Sequence, residues 1–275
     1  IEGPPGVGKT ELANTAALYF KKEMIRLQCY EGLDESKALY EWRYGKQLLY
    51  TQILKEQMQE VLEGAKGLKE SLDRLMKFED IFFSEDFLET RPLLEALTSE
   101  KGSVLLIDEV DKSDEEFEAL LLEILSEFQI SIPELGVRKA DVKPLVVLTS
   151  NNSREIGDAL KRRCLHLYIP FPDAKLERQI VQARVPEISE SMQIQLVNFV
   201  QGIRELDLKK LPAISETIDW AKTVILLNSE ELDAKLAEDT LNVLLKHQQD
   251  IEVVKKEIPA LVSSATETSD GKSLN

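Results

Sequence analysis

Gly3-Pro4-Pro5-Gly6-Val7-Gly8-Lys9-Thr10 is the stretch that decides the fold of this chain. It fits the pattern G-x-x-x-x-G-K-[ST], a glycine-rich loop that cradles phosphate. Glycines let the backbone curl until its N–H groups point at phosphate oxygens, and a helix behind the loop adds its positive end. Helical spacing from Glu11 to Lys22, with Leu12, Ala16 and Tyr19 on one face, supplies that helix. All eight residues are therefore candidate ATP-binding residues, with Lys9 reaching the β and γ phosphates and the Thr10 hydroxyl ligating Mg²⁺. A chain of this length matches the pattern by accident roughly once in a hundred cases. An ordinary glycine turn would not need the helix that follows on cue.

Working outward, Ile1-Glu2 reads as the stub of a strand and Met24 to Cys29 as a further strand. Val104-Leu105-Leu106-Ile107 is a continuous apolar run of the kind a parallel strand buried on both faces requires. It ends in Asp108-Glu109, which places two carboxylates at the C-terminal edge of a sheet, where such sheets bind ligands. Asp108 there is a candidate Mg²⁺ ligand through water, and Glu109 a candidate base for the attacking water. Ser113-Asp114-Glu115 caps a helix over Phe117 to Phe128, and Pro133, Gly136 and Pro144 mark a hairpin or loop over 129–144. Val146 to Ser150 is another buried strand, aiming Asn151 at the same edge, where its amide could orient a lytic water or simply form a turn. Leu165 to Ile169 reads as a last strand. Short apolar strands alternating with helices predict a parallel α/β sheet.

Pro170-Phe171-Pro172 breaks that pattern, and everything after it has helical spacing. Leu196, Val197, Val200 and Ile203 form one stripe; Ile214, Ile218, Ala221 and Ile225 a second; Leu232, Leu236 and Leu244 belong to a third. The expected organisation is an α/β domain over 1–170, a helical lid over 171–262 and a polar disordered tail over 263–275. Residues 31–80 read as a helical insertion with breaks at Gly64 and Gly67.

Composition narrows the function. With 43% apolar and 31% charged residues, the 275-residue chain has the make-up of a soluble globular protein, without an apolar run long enough to cross a bilayer. The net charge of −16, with no basic stretch interleaved with aromatics, disfavours nucleic acid and anionic membrane as partners. Two cysteines, Cys29 and Cys164, lack metal spacing and fit a reducing cytoplasm. His166 and His247 are read as structural, Arg91 as a surface residue, and Tyr30, Tyr40, Trp42, Tyr44 and Tyr50 as packing residues around the insertion. Arg162 and Arg163, before the last strand, are either a solvated helix end or a phosphate-facing pair. Lys209 and Lys210 precede a helix start, where cations are unfavourable, and so point to an anionic contact.

The phosphate loop, Asp108-Glu109, Asn151, Arg163 and a helical lid, in that order, resemble AAA+ ATPases. Segments such as Gln28 to Asp34, Ala38 to Trp42, Ala213 to Trp220 and Thr240 to Lys246 are similar to the MoxR group, most of all its CoxD-type branch. The resemblance implies sensor 1 at Asn151, an arginine finger at Arg163 and a lid-borne sensor 2, placed at Lys210 with Arg204 and Lys209 as rivals. It implies a ring, expected to be a hexamer, that acts as an ATP-driven chaperone maturing a protein client, in some cases a metal centre of a molybdenum enzyme. A von Willebrand factor A protein is the implied partner. It further implies a strand between those at 146–150 and 165–169, of which only Ile1 and Glu2 are present, so a two-residue stub is expected there. A nucleic-acid motor or clamp loader would share these parts but is opposed by the acidic balance. A P-loop kinase would leave Asn151, Arg162-Arg163 and the lid unexplained, and Glu109 argues against a scaffold that rarely hydrolyses ATP.

Overall fold

The computed structural model describes residues 1–53, 84–133, 135–229 and 231–267. The chain divides into two compact units: Ile1–Glu2 with Lys9–Leu167, and Gly3–Gly8 with Tyr168–Asn275. The loop Gly3–Gly8 thus counts with the helical unit rather than with the sheet. The expected breaks at Gly64 and Gly67 lie outside the described residues.

In the first unit, α1 (Lys9–Phe20) is followed by β1 (Glu23–Gln28), α2 (Glu35–Ala38), β2 (Tyr40–Trp42), α3 (Tyr44–Ile53), β3 (Leu88–Thr90) and α4 (Pro92–Thr98). Then come β4 (Ser103–Asp108), α5 (Glu115–Glu127), the antiparallel hairpin β5 (Gln129–Ile132) and β6 (Gly136–Lys139), β7 (Leu145–Leu148) and α6 (Asp158–Lys161). The main sheet is parallel in the order β1-β4-β7. Every residue of the central strand β4 is buried, as the unbroken apolar run requires. Each of its large aliphatic side chains contributes about 1.5–3 kcal/mol by leaving water. Register sets Gln28 beside Asp108 and Ile107 beside Leu148, so the strands end together. The Asp114 carboxylate accepts the Phe117 N–H at 2.8 Å, capping α5 as expected.

Three expectations are corrected in this unit. The buried face of α1 is Ala13 and Ala17, while Leu12 and Tyr19 are exposed. The helix lies against β1 and β4, and small side chains permit that close approach. Leu165 to Ile169 joins no sheet strand, and Leu165 is almost wholly exposed. Its neighbour is the two-residue segment Ile1-Glu2, too short to build a ladder. Glu2 bridges Ser150 in parallel, and its N–H donates to the Leu167 carbonyl at 2.8 Å. Among the five aromatics, Trp42 is buried and Tyr40 half-buried, but Tyr30, Tyr44 and Tyr50 are exposed. Arg91 is bound to Glu41 at 2.6 Å beside the β2–β3 pair.

The second unit carries α7 (Ala174–Arg184), α8 (Glu190–Arg204), α9 (Ile214–Leu226), α10 (Ala234–Leu244) and α11 (Gln248–Glu267). Side chains of Asp173, Ser189 and Asp233 cap α7, α8 and α10. Leu196, Val197, Val200 and Ile203 from α8 meet Trp220, Ala221 and Val224 from α9 in one apolar core. Ile218, Ile225 and Leu236 from the expected stripes are only partly buried at its margin. The buried Trp220 indole donates to the Thr240 hydroxyl at 2.7 Å. α11 extends to Glu267, so residues 263–267 are helical rather than part of a disordered tail. Ala265 explains this: it is buried in the same core. Among the described residues, no helix is long and apolar enough to cross a membrane.

Candidate nucleotide and metal site

The loop glycines are dictated by space. A Cβ on Gly3 would lie 2.1 Å from the Ile169 carbonyl oxygen, closer than any real contact allows. Gly6 has φ +74°, and a Cβ there would sit 2.5 Å from Ala213 Cβ and 2.8 Å from Ser215 Oγ. Only glycine meets the backbone and steric conditions together. The loop hands over to α1 at Lys9, whose side chain is buried. Burial pulls the Lys9 pKa below its usual value, opposed by the charges of Asp111, Asp108 and Glu109.

Asp108 ends β4 almost fully buried. The Thr149 hydroxyl donates to its Oδ1, and Arg26 Nη2 donates to its Oδ2 at 2.6 Å. The Thr10 hydroxyl stands 3.4 and 3.3 Å from the two carboxylate oxygens, long for an O–H···O bond. A carboxylate and a hydroxyl held slightly apart are hard oxygen donors of the kind Mg²⁺ takes alongside phosphate oxygens and water. These residues fit that ion. Among the described residues no group of three His, Cys, Asp or Glu side chains could hold a metal unaided.

Glu109 turns the chain at the strand end with φ 56° and ψ 50°, a left-handed conformation that costs a non-glycine residue about 1–3 kcal/mol. The turn presents its carboxylate to three donors. Asn151 Nδ2 reaches Oε1 at 3.0 Å, Gln28 Nε2 reaches Oε2 at 3.1 Å, and the Lys112 ammonium pairs with Oε2. Asp111, also buried, accepts the backbone N–H groups of Asn151 at 3.2 Å and Ser153 at 2.9 Å, fixing the loop after β7. Burial raises the Asp111 pKa, but the hydrogen bonds from Ser153 and Asn151 outweigh it and leave the carboxyl below its usual value. Cys29, beside this edge, has its thiol pushed up to about 12 by burial and then by Asp108, Asp111 and Glu109. It is no nucleophile.

The sequence profile of the AAA domain, dynein-related subfamily, matches residues 1–164 of this chain. The chain belongs to that family. Nucleotide binding and the AAA+ ATPase architecture follow from membership. One solved structure agrees on the fold. A lysine-to-arginine variant of RuvB from Thermotoga maritima is similar at 16% identity and TM-score 0.51, over 98% of this chain and 74% of that one. A proline-to-glycine variant of the same protein gives 17% identity and TM-score 0.48, over 98% and 75%. A candidate ATPase from Cytophaga hutchinsonii is looser, at 15% identity and TM-score 0.43, over 96% and 83%. No curated protein matches the chain.

The remaining candidates of this AAA chain are placed as follows. Arg163 is exposed just after α6; its Nε donates to Ser126 Oγ and its Nη1 to the Ala159 carbonyl, both at 3.0 Å. Arg162 is exposed beside it. Lys209 and Lys210 are also exposed, and their backbone N–H groups, not their side chains, donate to Asp250 at 2.9 and 3.2 Å. Arg204 is committed elsewhere. It binds the buried Glu177 carboxylate through both Nη atoms at 2.7 and 2.8 Å and lies over the Phe171 ring. His166 sits 3.0 Å from Glu2 Oε2. Arg26, Gln28, Asp111, Thr149 and Ser215 are functional candidates that sequence spacing did not single out. Arg26 and Gln28 could have been found from period 2, since alternate residues of a strand share a face. Ser215 at Gly6 carries no sequence signal, because only the tertiary fold brings α9 to the loop.

Proposed function

We propose that this AAA chain is the Mg²⁺-dependent, ATP-hydrolysing module of a ring-forming chaperone of the MoxR type. The observation that carries it is the gathering of Lys9, Thr10, Asp108, Glu109 and Asn151 at one edge of the β1-β4-β7 sheet. Thr10 and Asp108 would hold Mg²⁺, which when bound neutralises charge on the phosphates. Lys9 steadies the phosphates, and Glu109 takes a proton from the attacking water once Gln28 and Lys112 yield. Asn151 keeps that carboxylate aimed. On the lid side the contact is assigned to Lys210, with Ser215 beside Gly6 as the competing residue. The exposure of Arg163 supports a finger that serves a neighbouring subunit in a hexameric ring. The two cysteines fit a cytoplasmic setting, and the motif resemblance adds a protein client, a von Willebrand factor A partner and, in the CoxD-type branch, maturation of a molybdenum enzyme.

Two mutants test the chemistry. Glu109→Gln should still bind ATP but lose turnover by about 10²-fold or more, while Lys9→Ala should lose binding as well. Equal loss of binding in both would make Glu109 a structural acid. The ring is tested by mixing. Arg163→Ala alone should lose about 10³-fold or more in rate, and activity should partly return when it exchanges with Lys9→Ala subunits. Unchanged turnover in Arg163→Ala would remove the finger.

A further inference from the structure

The metal-binding carboxylate already has a cation on it. Arg26 Nη2 lies 2.6 Å from Asp108 Oδ2. Its side chain is 49% exposed, whereas that of Asp108 is 6% exposed. The carboxylate is therefore fixed and the guanidinium is not, since a long side chain rooted on β1 can swing into water without disturbing the core. The same Nη2 also donates to Gln28 Oε1 at 2.7 Å, and Gln28 Nε2 donates to Glu109 Oε2 at 3.1 Å. One guanidinium nitrogen thus ties the Asp108 carboxylate to the clamp on Glu109. Mg²⁺, or a water that joins it to Asp108, would compete with the guanidinium for the Oδ2 lone pairs. Two like charges so close together would also repel.

We propose that Arg26 is the resident counter-ion of Asp108, which Mg²⁺ must displace. Arg26 is thereby a positioning residue that sets how much metal the site needs. This rests on reading Asp108 as a Mg²⁺ ligand. Lys9 and Lys112 also feel the charge of Asp108, but Lys9 is buried at the start of α1 and Lys112 is paired with Glu109.

The test is direct metal binding, not turnover. Mn²⁺ as the probe, titrated into the protein with saturating ADP and followed by electron paramagnetic resonance, gives a dissociation constant for wild type, Arg26→Met and Arg26→Lys. Losing one charge-assisted bond that competes with the metal should tighten Mn²⁺ binding in Arg26→Met about tenfold. Arg26→Lys, which keeps a cation, should stay near wild type. Equal Mn²⁺ affinity in wild type and Arg26→Met overturns the inference, and weaker binding in Arg26→Met makes Arg26 a phosphate ligand instead. Asp108→Asn separates the two levels. If it binds Mn²⁺ as wild type does, the reading of Asp108 fails and this inference with it. If it loses Mn²⁺ while Arg26→Met changes nothing, only the inference fails.

Discussion

Two guanidinium–carboxylate pairs, one in each unit, show what saturation does to the same chemistry. Glu177 is fully enclosed and fully answered: Arg204 grips both of its oxygens, Gln201 Nε2 donates at 2.7 Å, and the Thr217 hydroxyl donates at 2.8 Å. Arg204 is itself held by the Pro212 carbonyl at 2.8 Å and by the Phe171 ring. Nothing in that cluster can leave without stranding a charge. Asp108 has a single short bond to a half-exposed arginine, a hydroxyl from Thr149 and a long approach from Thr10. A buried pair with every lone pair used is a joint between helices. A pair with one solvent-facing partner is an exchangeable site.

The largest effect expected from this contrast is on stability. Arg204→Ala should cost about 3–5 kcal/mol, because Glu177 would remain buried and charged with its main partner gone. Urea denaturation, followed by tryptophan fluorescence in a Trp42→Phe background so that only the core Trp220 reports, measures it. A loss under about 1 kcal/mol would mean that Glu177 reaches water or takes up a proton at little cost, and the distinction between the two pairs would collapse. Replacing both residues, as Glu177→Gln with Arg204→Met, should recover most of the loss, since an ion pair replaced by apolar and neutral groups of similar size is often close to neutral.

What could be read from sequence follows the range of the interaction. The phosphate loop, the buried run of β4 and the acids that end it are local patterns, and the Asp114 cap and the β5–β6 hairpin are nearly so. On α1, size misleads: Leu12 and Tyr19 look like core, yet the close approach to the sheet needs Ala13 and Ala17. The segment 165–169 has strand composition, but a strand also needs a partner, and Ile1-Glu2 reaches it through the Glu2 N–H bond to the Leu167 carbonyl. The partners of charges are the least legible. Arg204 meets an acid 27 residues away, Asp108 an arginine 82 residues away, and Lys209 and Lys210 meet Asp250 through their backbone rather than their side chains. Spacing along a helix or strand says which way a residue faces, not who waits there.

The smallest effect expected is the stability change in Arg26→Met. The Arg26–Asp108 distance of 2.6 Å is as short as either Arg204 bond, so distance alone would rank the pairs as equals. Exposure ranks them differently. An ion pair with a solvated partner gains little, because water screens the attraction and the freed arginine recovers side-chain entropy. Asp108 would keep the Thr149 hydroxyl and the field of Lys9, so it would not be left as an isolated buried charge. Loss of Arg26 should therefore lower stability by about 1 kcal/mol or less. The urea midpoint should move slightly at unchanged slope. The sharper readout is the response to metal with ADP present: a ligand that binds only the folded state stabilises it in proportion to the logarithm of its saturation. Arg26→Met should therefore gain more stability from subsaturating Mg²⁺ than wild type does, whereas Arg204→Ala should gain no more than wild type. If Arg26→Met proves as damaging as Arg204→Ala and Mg²⁺ does not compensate, the Asp108 pair is a structural joint after all.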